Sequence, residues 1–154
     1  MARGGIHFRG EDMRPIKQLL DGKSREIFSV APSTTVLEAL RLLAERDVGA
    51  LLVMDGDRMA GIFSERDYAR RVVLQGKSSR ETPVREVMTE RIVSVHPNQT
   101  VEEAMTMMTE VRCRHLPVIE HGRVIGVVSI GDLVKEIISE QEFLIQQLET
   151  YITQ

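Results

Sequence analysis

The chain is poor in the residues that staple, stack or anchor. Of its 154 residues one is cysteine, none is tryptophan, and aromatics make up 4%. A lone Cys113 excludes an intramolecular disulfide and any multi-cysteine zinc site. No uninterrupted apolar run approaches the length of a membrane-spanning helix. Charge of neither sign dominates: Lys and Arg number 20, Asp and Glu 23, for a formal −3. That balance leaves no basic footprint for nucleic acid. Residues 1–13 carry glycines and charges without a hydrophobic signal core, so a tail over 1–15 and a cytoplasmic location are expected. His7, His96, His115 and His121 show no ligand spacing, so no metal is expected.

What the chain has is a duplication. Gly61-Ile62-Phe63-Ser64-Glu65-Arg66-Asp67 returns 65 residues later as Gly126-Val127-Val128-Ser129-Ile130-Gly131-Asp132. The same offset aligns Pro32 with Pro97, Thr35 with Thr100, Val36, Glu38 and Ala39 with Val101, Glu103 and Ala104, and Leu51 and Val53 with Leu116 and Val118. No gap is needed from Ile27/Ile92 to Asp67/Asp132, so each half is one copy of a single unit. Halves of about 60–65 residues are near the size where a core is marginal alone. They are therefore expected to bury a face against each other.

Within each copy the pattern predicts β-α-β-β-α. Ile27–Val30 and Ile92–Val95 read as strands stopped by Pro32 and Pro97. Val36, Ala39, Leu40 and Leu43 fall at helical spacing after Thr34 and Thr35, the N-cap candidates, and Gly49 is the expected stop. Val101, Ala104, Met105 and Met108 repeat that stripe, the methionines reading as core filler. Apolar runs flank Asp55-Gly56-Asp57 and His121-Gly122 as hairpins. Ser64 opens a helix expected to run to Gly76, while the helix from Asp132 continues through Leu144 and Leu148. The divisions are 16–76 for the first repeat, 77–83 for a linker, 84–139 for the second repeat and 140–154 for a helical extension. The fold class is α+β, an α/β sandwich of two repeats packed as one pseudo-symmetric module.

The repeated Gly-φ-φ-Ser-x-x-Asp, with φ an apolar residue, suits two kinds of chemistry. Gly lets a ligand approach the backbone, and the free N–H groups of the first helical turn favour an anion. Asp67 and Asp132 can accept hydrogen bonds from vicinal ribose hydroxyls, as acidic residues do in dinucleotide folds. The same Ser-x-x-Asp is close to a capping box that needs no ligand. Both readings stand at this point. An enzyme would need a nucleophile and base; Cys113 and His115 on one strand face would be roughly 6.6–7 Å apart, too far to share a proton directly.

The order of elements, Pro-x-x-Thr-Val-x-Glu-Ala in both halves, Arg114-His115-Leu116-Pro117-Val118 and the doubled Gly-φ-φ-Ser-x-x-Asp resemble a cystathionine-β-synthase (CBS) domain pair, or Bateman module, over roughly Ile16 to Ser139. Ser64–Tyr68 and Val128–Asp132 look particularly like stand-alone single-pair CBS proteins. The resemblance implies an adenosine-containing ligand, AMP first with ATP or NAD as further candidates, bound in clefts between the halves and without catalysis. It implies Asp67 and Asp132 as ribose ligands, Ser64 and Ser129 (with Gly131) near phosphate or ribose, and Ile27-Phe28 and Ile92-Val93 flanking adenine. Arg114 and His115 would meet phosphates, in the Asp67 site across the interface, and Arg66 is a further phosphate candidate. Gly49-Ala50 stands where the second half has Arg114-His115, so two sites would not be equivalent. A homodimer of modules and a separate regulated protein are the implied partners. The alternatives are an interaction module with empty sites and, last in order, an enzyme.

Overall fold

The computed structural model describes residues 14–22 and 26–153; the tail expected over 1–15 lies almost wholly outside them. The elements are α1 (Ile16–Asp21), β1 (Ser29–Val30), α2 (Val36–Arg46), β2 (Ala50–Asp55), β3 (Arg58–Ser64), α3 (Glu65–Asp67), α4 (Val101–Val111), β4 (His115–Glu120), β5 (Arg123–Ser129) and α5 (Ile130–Thr153). Strand order is β1-β2-β3 in one sheet and β4-β5 in the other, an α+β arrangement. The two hairpins are in matching register, Ala50 opposite Ser64 and His115 opposite Ser129. Their turns differ: Gly56 alone takes a positive φ in the first, whereas His121 and Gly122 both do in the second. Positive φ at the first central residue alone, or at both, gives the two hairpin turns whose twist matches that of the strands.

Thr35 and Thr100 are the N-caps of α2 and α4, each hydroxyl accepting from the N–H three residues on, at 3.2 and 3.1 Å. Gly49 does not end α2. The stop is Asp47 in the left-handed conformation, matched by Arg112 after α4. The helix opened by Ser64 also departs from expectation. After one α turn it widens into a π-helix over Tyr68–Val73, with the Leu74 N–H reaching the Ala69 carbonyl.

The expected strands Ile27–Val30 and Ile92–Val95 are shorter than their apolar runs. In the first, only Ser29 and Val30 pair with β2; in the second, a single bridge joins Val95 to Val118. The difference between the copies follows from one residue. The Leu52 N–H donates to the Phe28 carbonyl at 3.1 Å. Its counterpart is Pro117, which has no N–H, so that rung is absent while Val95 N–H still reaches the Pro117 carbonyl at 2.9 Å.

Compact units do not follow the repeat boundaries. Among the described residues, one comprises 14–22 together with 93–153, the other Glu26–Ile92. The linker at 77–83 is therefore not where the cores divide. Ile16, Leu19 and Leu20 of α1 are buried with Val101, Met108, Leu116 and Leu133, all residues of the second repeat. Val84, Val87 and Met88 are buried with Val36, Leu43, Leu51 and Phe63 of the first. The two entering segments, Pro15-Ile16-Lys17-Gln18-Leu19-Leu20 and Pro83-Val84-Arg85-Glu86-Val87-Met88, repeat at an offset of 68 rather than 65. Their backbone bonds are matched: Ile16 N–H to Gln99 carbonyl and Val84 N–H to Thr34 carbonyl, each at 2.8 Å, with Val101 N–H to Arg14 and Val36 N–H to Thr82. The core of each repeat thus receives the segment that opens the other repeat.

Candidate functional site

Each unit carries one copy of the Gly-φ-φ-Ser-x-x-Asp corner, where the hairpin's second strand turns into a helix. In residues 26–92 parallel pairing of β1 with β2 brings Phe28, Ala50 and Ser64 to one end of the sheet. In the other unit His115 and Ser129 are opposed at the equivalent end, with the chain at Val93 approaching β4 in the same sense. A backbone bond ties each corner to the hairpin's start: Glu65 N–H to Gly49 carbonyl at 3.1 Å, and Ile130 N–H to Arg114 carbonyl at 2.8 Å.

At the first corner Asp67 is almost fully enclosed, 8% exposed. Its Oδ2 accepts from the Ser64 N–H and the Ser64 hydroxyl, both at 3.0 Å, and the Asp67 N–H returns to Ser64 Oγ at 3.2 Å. This is a complete capping box with Asp in place of the usual Glu. The other oxygen, Oδ1, accepts from the Thr89 hydroxyl at 3.0 Å and lies 4.0 Å from Arg71 Nε. Arg71 in turn donates to the Met88 carbonyl at 2.7 Å. A carboxylate offers about four lone-pair sites, so three accepted bonds leave one, on Oδ1. Thr89 and Arg71 are absent from the residues read off the sequence. Arg71 had a local signal, its i+4 position from Asp67 on a helix. Thr89 had none: it is 22 residues away and arrives only because the Val84–Met88 segment enters this core.

At the second corner the Ser129 N–H donates to Asp132 Oδ2 at 2.8 Å and the Asp132 N–H to Ser129 Oγ at 3.1 Å. Asp132 and Ser129 are half-buried and Gly131 is exposed. Arg114 is exposed and His115 half-buried, and both belong with Ser129 and Asp132 in the same unit. Phe28 packs against the first core with the Arg46 guanidinium 5.1 Å from its ring centroid, a cation–π contact. Ile27, Ile92 and Val93 are half-buried, and Arg66 is exposed at the first turn of α3.

The corner glycines do not serve the expected purpose. A Cβ on Gly61 would stand 2.6 Å from Met88 Sδ and 2.8 Å from the Thr89 carbonyl oxygen. On Gly126 it would stand 2.7 Å from Leu20 Cδ2. Both positions are buried against the entering segments, so the absent side chain admits protein rather than ligand.

Cys113 lies partly buried against the second core, and burial pushes its thiol up from the ordinary value. A nucleophilic cysteine needs the opposite shift. Among the described residues no group of three or more His, Cys, Asp or Glu is placed to hold a metal ion.

The chain belongs to the CBS domain family, whose description matches it twice, over residues 16–74 and 84–139. A putative signal-transduction protein with CBS domains from Burkholderia ambifaria is 50% identical, with a TM-score of 0.81, over 83% of this chain and 96% of that one. The CBS domain-containing protein CBSX3, mitochondrial, of Arabidopsis thaliana is 42% identical over 123 residues; the chain spans 60% of that relative's length. The CBS domain pair of protein MJ0100, solved with 5′-methylthioadenosine and S-adenosyl-L-methionine, superposes with a TM-score of 0.72 at 20% identity, a likeness of fold. No helix among the described residues is long and apolar enough to cross a membrane.

Proposed function

We propose that this CBS pair is a non-catalytic sensor of an adenosine-containing ligand, with AMP, ATP and NAD as the candidates, acting on a separate partner or through its own assembly in the cytoplasm. The observation that carries the reading is the twice-built corner. In both copies Ser and Asp hold the same cap geometry at the same end of a hairpin, and Ile27-Phe28 and Ile92-Val93 are the apolar residues assigned to a flat base. The remaining acceptor on Asp67 Oδ1 suits a ribose hydroxyl. Ser64, Ser129 and Gly131 lie within reach of the same helix starts, and Arg66, Arg114 and His115 supply cations or donors for phosphate. The raised thiol of Cys113 favours binding over covalent chemistry. The repeats are read as 16–76 and 84–139, joined by 77–83, and a homodimer as the working assembly.

A second reading has its own observation: the capping box at Asp67 is complete without any ligand. Asp67→Ala and Asp132→Ala separate the two. If the carboxylates bind ribose, each substitution weakens binding of uncharged adenosine by roughly tenfold to a hundredfold, the worth of a charge-assisted hydrogen bond. If they only cap, affinity stays at the wild-type value; Asp132→Ala then costs about 1 kcal/mol of stability, and Asp67→Ala costs more, because Thr89 and Arg71 also lose their partner. Melting temperature and adenosine affinity, measured on the same samples, decide between them.

A further inference from the structure

The two corners draw on different cations. In the second unit Arg114 and His115 stand at the start of β4, with His115 opposite Ser129. Their counterparts in the first unit are Gly49 and Ala50, which carry no charge. Arg46 stands near instead. It closes the last turn of α2, three residues ahead of Gly49, whose carbonyl accepts from the Glu65 N–H at 3.1 Å. The chain therefore returns from the end of α2 directly to the start of α3, beside Ser64. The Arg46 guanidinium lies over the Phe28 ring, 5.1 Å from its centroid, and among the described residues it has no other partner. Phe28 is half-buried against its core while Arg46 is exposed, so the face under the arginine is the one a base would use. In the second unit the same two positions hold Val93 and Val111, with neither ring nor cation.

We infer that Arg46 is a specificity-determining residue of the Ser64–Asp67 corner: its guanidinium leaves the Phe28 ring for the phosphate of a bound nucleotide, so this corner prefers nucleoside phosphates to nucleosides. The inference rests on the adenosine-ligand reading above and names the residue that separates charged from uncharged ligands at one of its two corners. The exchange of partners is favourable in one direction only. A guanidinium over a ring at an exposed site is weakly held, so a flat base can displace it. A phosphate carried by the same ligand then offers the planar fork a bidentate, charge-assisted partner, which is stronger than the ring it left. A nucleoside displaces the arginine and gives it nothing in return. Arg71 does not take this part, because it already donates to the Met88 carbonyl at 2.7 Å. The second corner has no ring to uncover and no cation over it, so its ligands are not sorted in this way.

The test uses the full chain, as wild type and as Arg46→Ala, titrated calorimetrically with adenosine, AMP, ATP and NAD. Removing the guanidinium should weaken every phosphate-bearing ligand that wild type binds by roughly tenfold or more, the loss of a charge-assisted pair. It should also flatten the salt dependence of their binding. Adenosine should move the other way, tightening roughly two- to fivefold because the ring is already uncovered. Where two binding events are resolved, one of them carries both changes. Arg46→Lys keeps the charge without the fork and should recover only part of the AMP affinity. If Arg46 merely complements the carbonyl end of α2, Arg46→Ala lowers the melting temperature and leaves every affinity at the wild-type value, which overturns the inference. So does a loss of adenosine affinity, since the guanidinium would then be clamping the base, and so does a wild type that binds adenosine alone. Those results leave the adenosine-ligand reading standing, whereas a wild type that binds none of the four overturns that reading and the inference with it.

Discussion

At the scale of single residues, the two corner glycines carry the same sequence signal but not the same tolerance. The nearest atoms to a new Cβ at Gly61 include the Thr89 carbonyl, held by its backbone bridge to Ile62. At Gly126 they all belong to the Leu20 side chain, the closest being its two methyl carbons, with no backbone atom among them. Gly61→Ala should therefore cost about 1–3 kcal/mol, as overpacking a core does, and Gly126→Ala distinctly less. Chemical denaturation of both variants checks the order, and equal losses would contradict it. The Asp67 carboxylate shows the same dependence on the entering segment. Its partner Ser64 was legible from a three-residue spacing, whereas Thr89 was not, because spacing reports neighbours along a helix and not across a core.

At the scale of elements, the hairpins, the capped helices α2 and α4 and the long α5 were all legible, since each follows from local periodicity and turn chemistry. The parts that were not legible turn on specific bonds. Asp47 and Arg112 end their helices in the left-handed conformation, a position more often given to Gly or Asn. The missing rung beside Val93 follows from Pro117. Pro117→Ala restores an N–H at that position. Amide exchange should find the new 117 amide protected to a degree comparable with that of Leu52, which donates to Phe28. Exchange at the rate of an open loop would show that Pro117 is not what shortens the pairing.

At the scale of the whole molecule, the duplication was visible as an ungapped 65-residue offset, but the exchange of entering segments was not. Those segments match at 68, so they fall outside the alignment. Apolar periodicity also tells which face of a turn is buried without telling which core receives it. The exchange makes a sharp prediction about fragments. Residues 84–154 contain the whole second repeat but lack Ile16, Leu19 and Leu20, three side chains of its core, and carry Val84, Val87 and Met88 away from theirs. That fragment should show no cooperative thermal transition near that of the full chain, and a transition at the full-length midpoint would refute the account of the cores. The function turns on one titration. Full-length protein is titrated calorimetrically with adenosine, AMP, ATP and NAD, and each mixture is then assayed for products. Saturable binding of at least one of the four is expected, with the ligand recovered unchanged. Absence of heat for all four, or conversion of the bound ligand, would contradict it.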